Sequence, residues 1–175
     1  GSRVMELPGI PSDSRVMDST GALALKKVPE RLVIIGGGII GLEMATVYHG
    51  LGSEVSLVEM QPSLLPMIDR DIFRPLERKL KRICKKIYTG TRLDSIDAKE
   101  EALELKLISG DKEFEIQTDG LLIAAGRVPN SDGIGLQEIG VELDSSGNIS
   151  VDDKSQSSVR NVFAIGDVTG QPMLA

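Results

Sequence analysis

Three glycines early in the chain have a spacing that suits the binding of a diphosphate group. Gly36, Gly38 and Gly41 form the pattern G-x-G-x-x-G within RLVIIGGGIIGLEMATVYHGLGSEVSLVE. The first glycine permits a tight turn, the second lets a ligand approach the backbone, and the third lets a helix pack closely on a strand. Free N–H groups at the start of the following helix attract anions. The pattern therefore predicts a diphosphate site formed by backbone atoms.

An acidic residue follows these glycines at the distance expected for recognition of a ribose. Glu59 lies 18 residues after Gly41, at the end of the apolar stretch EVSLVE. A carboxylate there accepts hydrogen bonds from ribose hydroxyls and repels a 2′-phosphate, so it selects NAD over NADP. The stretch therefore predicts an NAD(H) site. Two alternatives stay open: a strand-to-helix turn in an unrelated α/β protein, and FAD bound at the same fingerprint through its ADP moiety.

Two further polar residues lie on the helix predicted after the glycines. Glu43 suits either the helix dipole or a role at the nicotinamide end of the cofactor, and the residues alone leave both open. His49 is the only histidine and stands beside Gly50, which indicates a capping or surface role. With one histidine and one cysteine, Cys84, the sequence offers neither a metal site nor a nucleophilic triad.

The hydrophobic pattern predicts the elements that position these residues. Predicted helices cover 18–27, 39–51 and 69–86, and predicted strands cover RLVIIG, EVSLVE, KKIYTG, ALELKLIS, EFEIQT, GLLIAAG, NISV and NVFAIGD. ELPGIPSDS and QPSLLP are predicted loops, and RVPNSDGIGLQEIGVELDSSGN is predicted to be turn-rich with one short helical piece. The β-α-β-α-β order predicts an α/β fold, a Rossmann-like parallel sheet with crossover helices. Alternation around Gly110–Asp111 predicts an inserted antiparallel β-meander.

The predicted helix from Asp69 to Lys86 is amphipathic. Its apolar stripe is Ile72, Leu76, Leu80, Ile83 and Ile87, with Cys84 nearby as a small hydrophobe. Its other face is basic and consists of Arg70, Arg74, Arg78, Lys79, Lys81, Arg82, Lys85 and Lys86. We expect a solvated face with cations toward the helix C-terminus. Docking of an acidic partner is the alternative.

Composition excludes several classes of protein. The chain has 175 residues, of which 41% are hydrophobic, and a net charge of −6. A hydrophobic core can therefore form, whereas nucleic-acid and membrane binding, which need a basic surface, are not expected. The single cysteine excludes a disulfide framework and suits a reducing compartment. No apolar run approaches the length of a membrane span, so a cytoplasmic location is expected.

Three ordered motifs together resemble the NAD-binding region of the dihydrolipoamide dehydrogenases, a family of flavoprotein disulfide oxidoreductases, in a bacterial variant. The motifs are VIIGGGIIGLEMATVYHGLGSEVSLVE, LLIAAGRVPNSDGIGL and NVFAIGDVTGQPMLA. The resemblance covers nearly the whole chain. It implies that residues 29–150 form an NAD-binding domain, with a linker and the edge of an FAD domain at 1–28 and a segment of the FAD domain at 151–175.

The resemblance also implies a role for each residue that matches a family motif. The diphosphate loop matches Gly36, Gly37, Gly38, Ile39, Ile40 and Gly41. Glu43 matches a glutamate near the nicotinamide carboxamide, Glu59 the ribose-binding acid, and Leu93 an apolar residue beside the adenine. A loop that closes over NAD matches Ala125, Gly126 and Arg127, Asp167 matches an aspartate at the FAD ribitol, and Met173, Leu174 and Ala175 match a segment beside the flavin ring.

The resemblance also implies a reaction, which this chain is not expected to complete by itself. Family members are homodimers that use FAD and NAD. They reoxidise dihydrolipoamide on the lipoyl domains of 2-oxo acid dehydrogenase complexes, which assemble on an acyltransferase core. The chain contains neither the FAD fingerprint, the C-x-x-x-x-C redox pair nor the His-Glu pair of the family. We therefore expect it to bind NAD(H) and to catalyse nothing alone. The alternatives are an NADPH-dependent disulfide reductase, disfavoured because no cation closely follows Glu59, and a non-catalytic dinucleotide-binding module.

Overall fold

The computed structural model describes residues 1–24 and 26–173. In chain order, the strands are β1 (Ser2–Val4), β2 (Val16–Met17), β3 (Arg31–Ile35), β4 (Glu54–Val58), β5 (Cys84–Tyr88), β6 (Thr91–Ala98), β7 (Leu103–Ser109), β8 (Lys112–Thr118), β9 (Gly120–Ile123) and β10 (Arg127–Pro129). The helices are α1 (Ser19–Leu23), α2 (Ile39–Gly50) and α3 (Arg70–Ile83), and a 3-10 helix covers Gly166–Thr169. The chain divides into a larger unit, Glu6–Ala125, and a smaller unit formed by Gly1–Met5 with Gly126–Ala175.

The larger unit contains a five-stranded parallel sheet in the order β2-β9-β3-β4-β5. Strand β3 lies at its centre, and residues Leu32 to Ile35 are all buried. A strand covered on both faces needs apolar side chains in both directions, which explains the uninterrupted run in its sequence. The predicted parallel sheet is confirmed.

The order in which successive strands are added to the sheet reverses at β3. From β3 the chain crosses through α2 to β4 and through α3 to β5, and it returns on the opposite side of β3 as β9. Ile35, the last residue of β3, pairs with Val58 on one side and with Ile123 on the other. Ligands of open α/β sheets bind in the crevice that such a reversal leaves at the carboxyl ends of the strands.

An antiparallel sheet of β6, β7 and β8 is inserted between β5 and β9. Its buried residues Leu103, Leu105 and Leu107 belong to one cluster with Val33 and Val58 of the parallel sheet. Alternate residues of β7 therefore cover the face of the parallel sheet that carries Val33. The predicted meander and its turn at Gly110–Asp111 are confirmed.

Two predicted helices are shorter than the sequence suggested. Helix α3 ends at Ile83 rather than Lys86, because Cys84 has an extended backbone and pairs with Val55 as the first residue of β5. Its buried side chains are Phe73 and Leu80, whereas Ile72, expected in the apolar stripe, is 71% exposed. Helix α1 covers five residues of the predicted 18–27, of which Leu25 lies outside the described residues.

The basic face of α3 is exposed and partly neutralised within the helix. Arg74 contacts Asp71 at 3.4 Å, and Lys81 contacts Glu77 at 2.8 Å. Both pairs have the spacing of side chains that meet on a helix surface. In the described part of the chain, every helix is too short or too polar to cross a bilayer.

Cys84 is expected to be unreactive while the protein is folded. Its side chain is buried, and burial raises the pKa of the thiol to about 11. Only the thiolate is alkylated, so native labelling by iodoacetamide at pH 8 should be about a hundredfold slower than labelling in denaturing urea. Mass spectrometry of the quenched samples measures the two rates. Equal rates would contradict burial of Cys84 at the junction of α3 and β5.

The smaller unit has little regular structure. Strand β1 pairs with β10, and a small core consists of Val141, Ile149, Ala164 and Val168. Two sequence predictions are wrong here. NISV and NVFAIGD are not strands, because each contributes one residue to an isolated bridge, Ile149 with Leu143 and Phe163 with Gln156. The short helical piece predicted after β10 is also missing, since no helix lies between β10 and residue 148 among the described residues. Several glycines with positive φ fold this stretch into turns: Gly133, Gly135, Gly140 and Gly147.

Candidate functional site

Gly36 forms the turn by which the chain leaves β3. Its φ is +115°, in the region that favours glycine, and its N–H donates to the Val58 carbonyl at 2.8 Å. A Cβ at this position would lie 2.2 Å from the Ala124 carbonyl oxygen and 3.2 Å from the Ala125 nitrogen. The end of β3 is therefore pressed against the chain just after β9, and no side chain fits between them.

Gly41 permits the next helix to start directly on this turn. A Cβ on Gly41 would lie 2.0 Å from the Gly36 carbonyl oxygen and 3.4 Å from the side chain of Ile34 in β3. Helix α2 consequently packs against both the turn and the strand. The tasks that the sequence assigned to the first and third glycines match these contacts.

Gly38 stands in a different environment from its neighbours. Its φ of −80° is open to any residue, it is exposed, and no heavy atom lies within 4 Å of a Cβ built on it. It is the N-cap of α2, and no side chain caps the helix there. The first N–H groups of a helix have no acceptor within the helix and carry partial positive charge. An anion-attracting helix end thus faces open space.

Glu59 follows β4 and reaches across to the glycine turn. One carboxylate oxygen accepts the Gly37 N–H and the other accepts the Gln61 N–H, each at 2.6 Å. The residue is half-buried. Each carboxylate oxygen has a second lone pair, so this arrangement orients the group and leaves acceptor capacity for a ligand.

Two contacts with the glycine turn come from the loop after β4, which the sequence marked only as a loop. A Cβ on Gly37 would lie 2.4 Å from Cδ2 of Leu64, a side chain that is 4% exposed. The Leu65 N–H donates to the Gly37 carbonyl at 3.3 Å. Both contacts join residues that are distant in sequence, so no local pattern in QPSLLP predicts them.

The remaining predicted residues of the larger unit lie at varying distances from this turn. Ile39 and Ile40 are half-buried in the first turn of α2, which contains no acidic residue, and Glu43 lies beyond that turn and is exposed. A dipole role at the first turn is therefore weakened for Glu43. Leu93 in β6 is half-buried and lies close in sequence to Thr91, whose N–H donates to the Glu59 carbonyl at 3.0 Å.

Ala125, the last residue of the larger unit, is exposed, and the smaller unit contains the other predicted residues. Arg127 donates to the hydroxyl and carbonyl oxygens of Ser2 at 2.6 and 2.7 Å and lies 3.8 Å from the Asp167 carboxylate. Asp167 is buried and also accepts from the Ser2 hydroxyl. Gly126 has a φ of +142°. Met173 is half-buried, and Leu174 and Ala175 lie outside the described residues.

Within residues 1–24 and 26–173, no group of three or more His, Cys, Asp or Glu side chains is placed to hold a metal ion. His49 is exposed in the last turn of α2, as expected for a surface residue.

Two dihydrolipoyl dehydrogenases resemble the chain over its full length. A dihydrolipoyl dehydrogenase of Vibrio parahaemolyticus is 45% identical, and the mitochondrial dihydrolipoyl dehydrogenase 1 of Arabidopsis thaliana is 41% identical, each over 100% of the chain. The chain spans only 37% and 35% of the lengths of these relatives. The resemblance inferred from the three motifs is confirmed.

Two solved structures have folds similar to that of this chain. The HOCl-induced flavoprotein disulfide reductase RclA of Escherichia coli superimposes with a TM-score of 0.85 at 32% identity, over 98% of this chain and 39% of that one. LpdA of Mycobacterium tuberculosis gives a TM-score of 0.86 at 26% identity, over 98% of this chain and 37% of that one. The family model described as pyridine nucleotide-disulphide oxidoreductase matches residues 1–175. The chain therefore belongs to the pyridine nucleotide-disulphide oxidoreductase family.

Proposed function

We propose that the larger unit binds NAD(H) at the carboxyl edge of its parallel sheet, as part of a dihydrolipoyl dehydrogenase. The environment of Gly38 carries this proposal. Gly36 and Gly41 are required by contacts within the fold, whereas Gly38 needs neither an unusual φ nor a close contact. A glycine that the fold does not require, at the uncapped start of a helix, suits the close approach of a diphosphate.

The surroundings of Glu59 support NAD rather than NADP as the ligand. Two backbone N–H groups orient its carboxylate, which then accepts hydrogen bonds from the ribose hydroxyls and repels a 2′-phosphate. Residues 60–69 contain no arginine or lysine that would neutralise such a phosphate. An NADPH-dependent disulfide reductase is the alternative, and a non-catalytic dinucleotide-binding module is another.

The other residues extend the proposed site. We assign the nicotinamide end to Glu43, the adenine to Leu93, and a loop over NAD to Ala125, Gly126 and Arg127. We assign a role in FAD binding within the whole protein to Asp167, Met173, Leu174 and Ala175. The corresponding domain assignment, with an NAD-binding domain at 29–150 flanked by segments of an FAD domain, stays a prediction.

For the whole protein we propose the reoxidation of protein-bound dihydrolipoamide, through a disulfide and FAD, to NAD⁺. NAD supplies the hydride-accepting chemistry when it is bound, and the larger unit holds and orients it. The proposed partners are the lipoyl domains and acyltransferase core of 2-oxo acid dehydrogenase complexes, together with a second copy in a homodimer. The chain alone is expected to be inactive, which an assay with free dihydrolipoamide checks.

Replacing Gly38 with alanine is expected to weaken NADH binding and to leave the fold intact. The added methyl group meets no protein atom, so it obstructs only the ligand. Overpacking of this kind should weaken binding at least about tenfold. Titrations followed by nicotinamide fluorescence, with NADH and NADPH in parallel, give the dissociation constants.

Gly50→Ala is the matched control for this change. Gly50 lies at the other end of α2, has open space around its Cβ and has no positive φ. Its replacement should preserve NADH binding and slightly stabilise the helix. If the wild-type chain binds neither NADH nor NADPH, or if both alanine variants bind NADH like the wild type, the proposed role of the glycine turn is wrong.

A further inference from the structure

The loop after β4 makes a hydrogen bond and a side-chain contact with the glycine turn. We refer to residues 61–68 as the latch segment. Its Leu65 N–H donates to the Gly37 carbonyl at 3.3 Å, and a Cβ on Gly37 would lie 2.4 Å from Cδ2 of its Leu64. The Gly37 N–H donates in the opposite direction, to Glu59. Gly37 therefore joins the latch segment to Glu59, the proposed ribose-binding acid, through its carbonyl and its N–H group.

The latch segment also contacts Glu59 directly. The Gln61 N–H donates to the carboxylate oxygen that Gly37 leaves open, at 2.6 Å. Gln61 is itself fixed, because its carbonyl accepts the Gly90 N–H at 2.8 Å. The orientation of the carboxylate thus depends on two donors, one in the glycine turn and one in the latch segment.

Leu65 has a backbone conformation that leucine rarely adopts. Its φ is +42°, in the left-handed region, and its carbonyl accepts the Ile68 N–H at 3.0 Å. Such conformations persist only where the surroundings impose them, and they concentrate at ligand clamps. Here the surroundings are the bond to Gly37 and the packing of both leucines against the core under α2 and α3.

We propose that the latch segment, through Leu64 and Leu65, is the positioning element that sets the discrimination between NADH and NADPH. It touches neither the diphosphate nor the ribose in this proposal, and acts by holding Gly37 and Glu59 in one arrangement. The inference rests on the proposed NAD(H) function of the same site. Loosening the latch segment lets the carboxylate rotate away from the ribose, so NADH binds more weakly and the 2′-phosphate of NADPH is repelled less.

Leu64→Ala tests the proposal against Leu80→Ala, a matched truncation of a buried leucine of the same core that lies on α3. Leu64→Ala should weaken NADH binding about tenfold, the effect of impairing one hydrogen bond to a charged group, and should lower the ratio of the NADPH and NADH dissociation constants. Leu80→Ala should lower the melting temperature and leave that ratio unchanged. Leu64→Val, a smaller truncation, gives a graded effect and serves if the alanine variant does not fold.

A double replacement separates positioning from general destabilisation. A Cβ on Gly37 would occupy space near Leu64 Cδ2, so Gly37→Ala and Leu64→Ala should be strongly non-additive in the NADPH-to-NADH ratio. If wild type binds NADH and the Leu64 variants keep its ratio, the latch proposal is overturned while the proposed function stands. If wild type binds no dinucleotide, the proposed function fails and this inference fails with it.

Discussion

Alanine at position 36 is expected to destabilise the larger unit by about 4 kcal/mol, the sum of a forbidden backbone conformation and an overpacked contact. Gly36 has a φ of +115°, and its Cβ would lie 2.2 Å from the carbonyl oxygen of Ala124, a residue tied to the end of β3 because its N–H donates to the Ile35 carbonyl at 2.7 Å. Against a typical domain stability of about 5–15 kcal/mol, this change removes a large share. NADH binding should be lost with the turn.

Urea unfolding followed by tyrosine fluorescence measures this effect in the larger unit alone. The chain has two tyrosines and no tryptophan, and Tyr48 and Tyr88 both lie within Glu6–Ala125. Gly38→Ala is the control, because it adds the same methyl group two residues later without a clash. A Gly36→Ala variant with the unfolding midpoint of the control would show that β3 and β9 do not meet as closely as the structure places them.

Removing the carboxylate of Glu59 is expected to weaken NADH binding by about a hundredfold. Hydrogen bonds to a charged group contribute about 1.5–3 kcal/mol, and a ribose presents two hydroxyls to this one carboxylate. Glu59→Ala also leaves the N–H groups of Gly37 and Gln61 without their acceptor, so the turn itself loosens. Binding of NADPH should change less, since the repulsion of its 2′-phosphate disappears together with the acid.

Parallel fluorescence titrations of wild type, Glu59→Ala and Glu59→Gln with both nucleotides measure this prediction. Glutamine keeps the size of the side chain, removes the charge and retains one acceptor oxygen, so either the Gly37 or the Gln61 N–H loses its acceptor. We expect Glu59→Gln to fall between the other two in NADH affinity and to discriminate poorly against NADPH. An unchanged preference for NADH in both variants would exclude Glu59 as the residue that selects the cofactor.

Elements encoded in short stretches could be predicted from the sequence. The apolar run of β3, the helical pattern of α2 and the alternation of β7 and β8 each appear at their predicted positions. Their side-chain periods follow from local backbone geometry, which is why pattern alone suffices. The roles of Gly36 and Gly41 were predictable for the same reason, since a strand, a tight turn and a helix are adjacent in sequence.

Predictions failed where long-range contacts decide between local alternatives. Residues 84–86 continue a helical pattern, yet Cys84 pairs with Val55 and starts β5, because the sheet provides partners for its backbone. The choice of Phe73 rather than Ile72 as a buried residue of α3 depends on how that helix lies on the core. In the smaller unit, strand-like sequences form only single bridges between turns.

The parallel α/β fold, the glycine turn and the acid at the end of β4 follow from the sequence, because each is encoded by residues close together along the chain. The contacts within the candidate site depend instead on tertiary packing. The Gly37 N–H donates to Glu59, and Leu64 and Leu65 both contact Gly37. Gly38 is the glycine of the fingerprint that faces open space. These are relations between residues brought together by the crossover of α2 and by the return of β9. No local period encodes them, since they arise from the packing of elements that are distant along the chain.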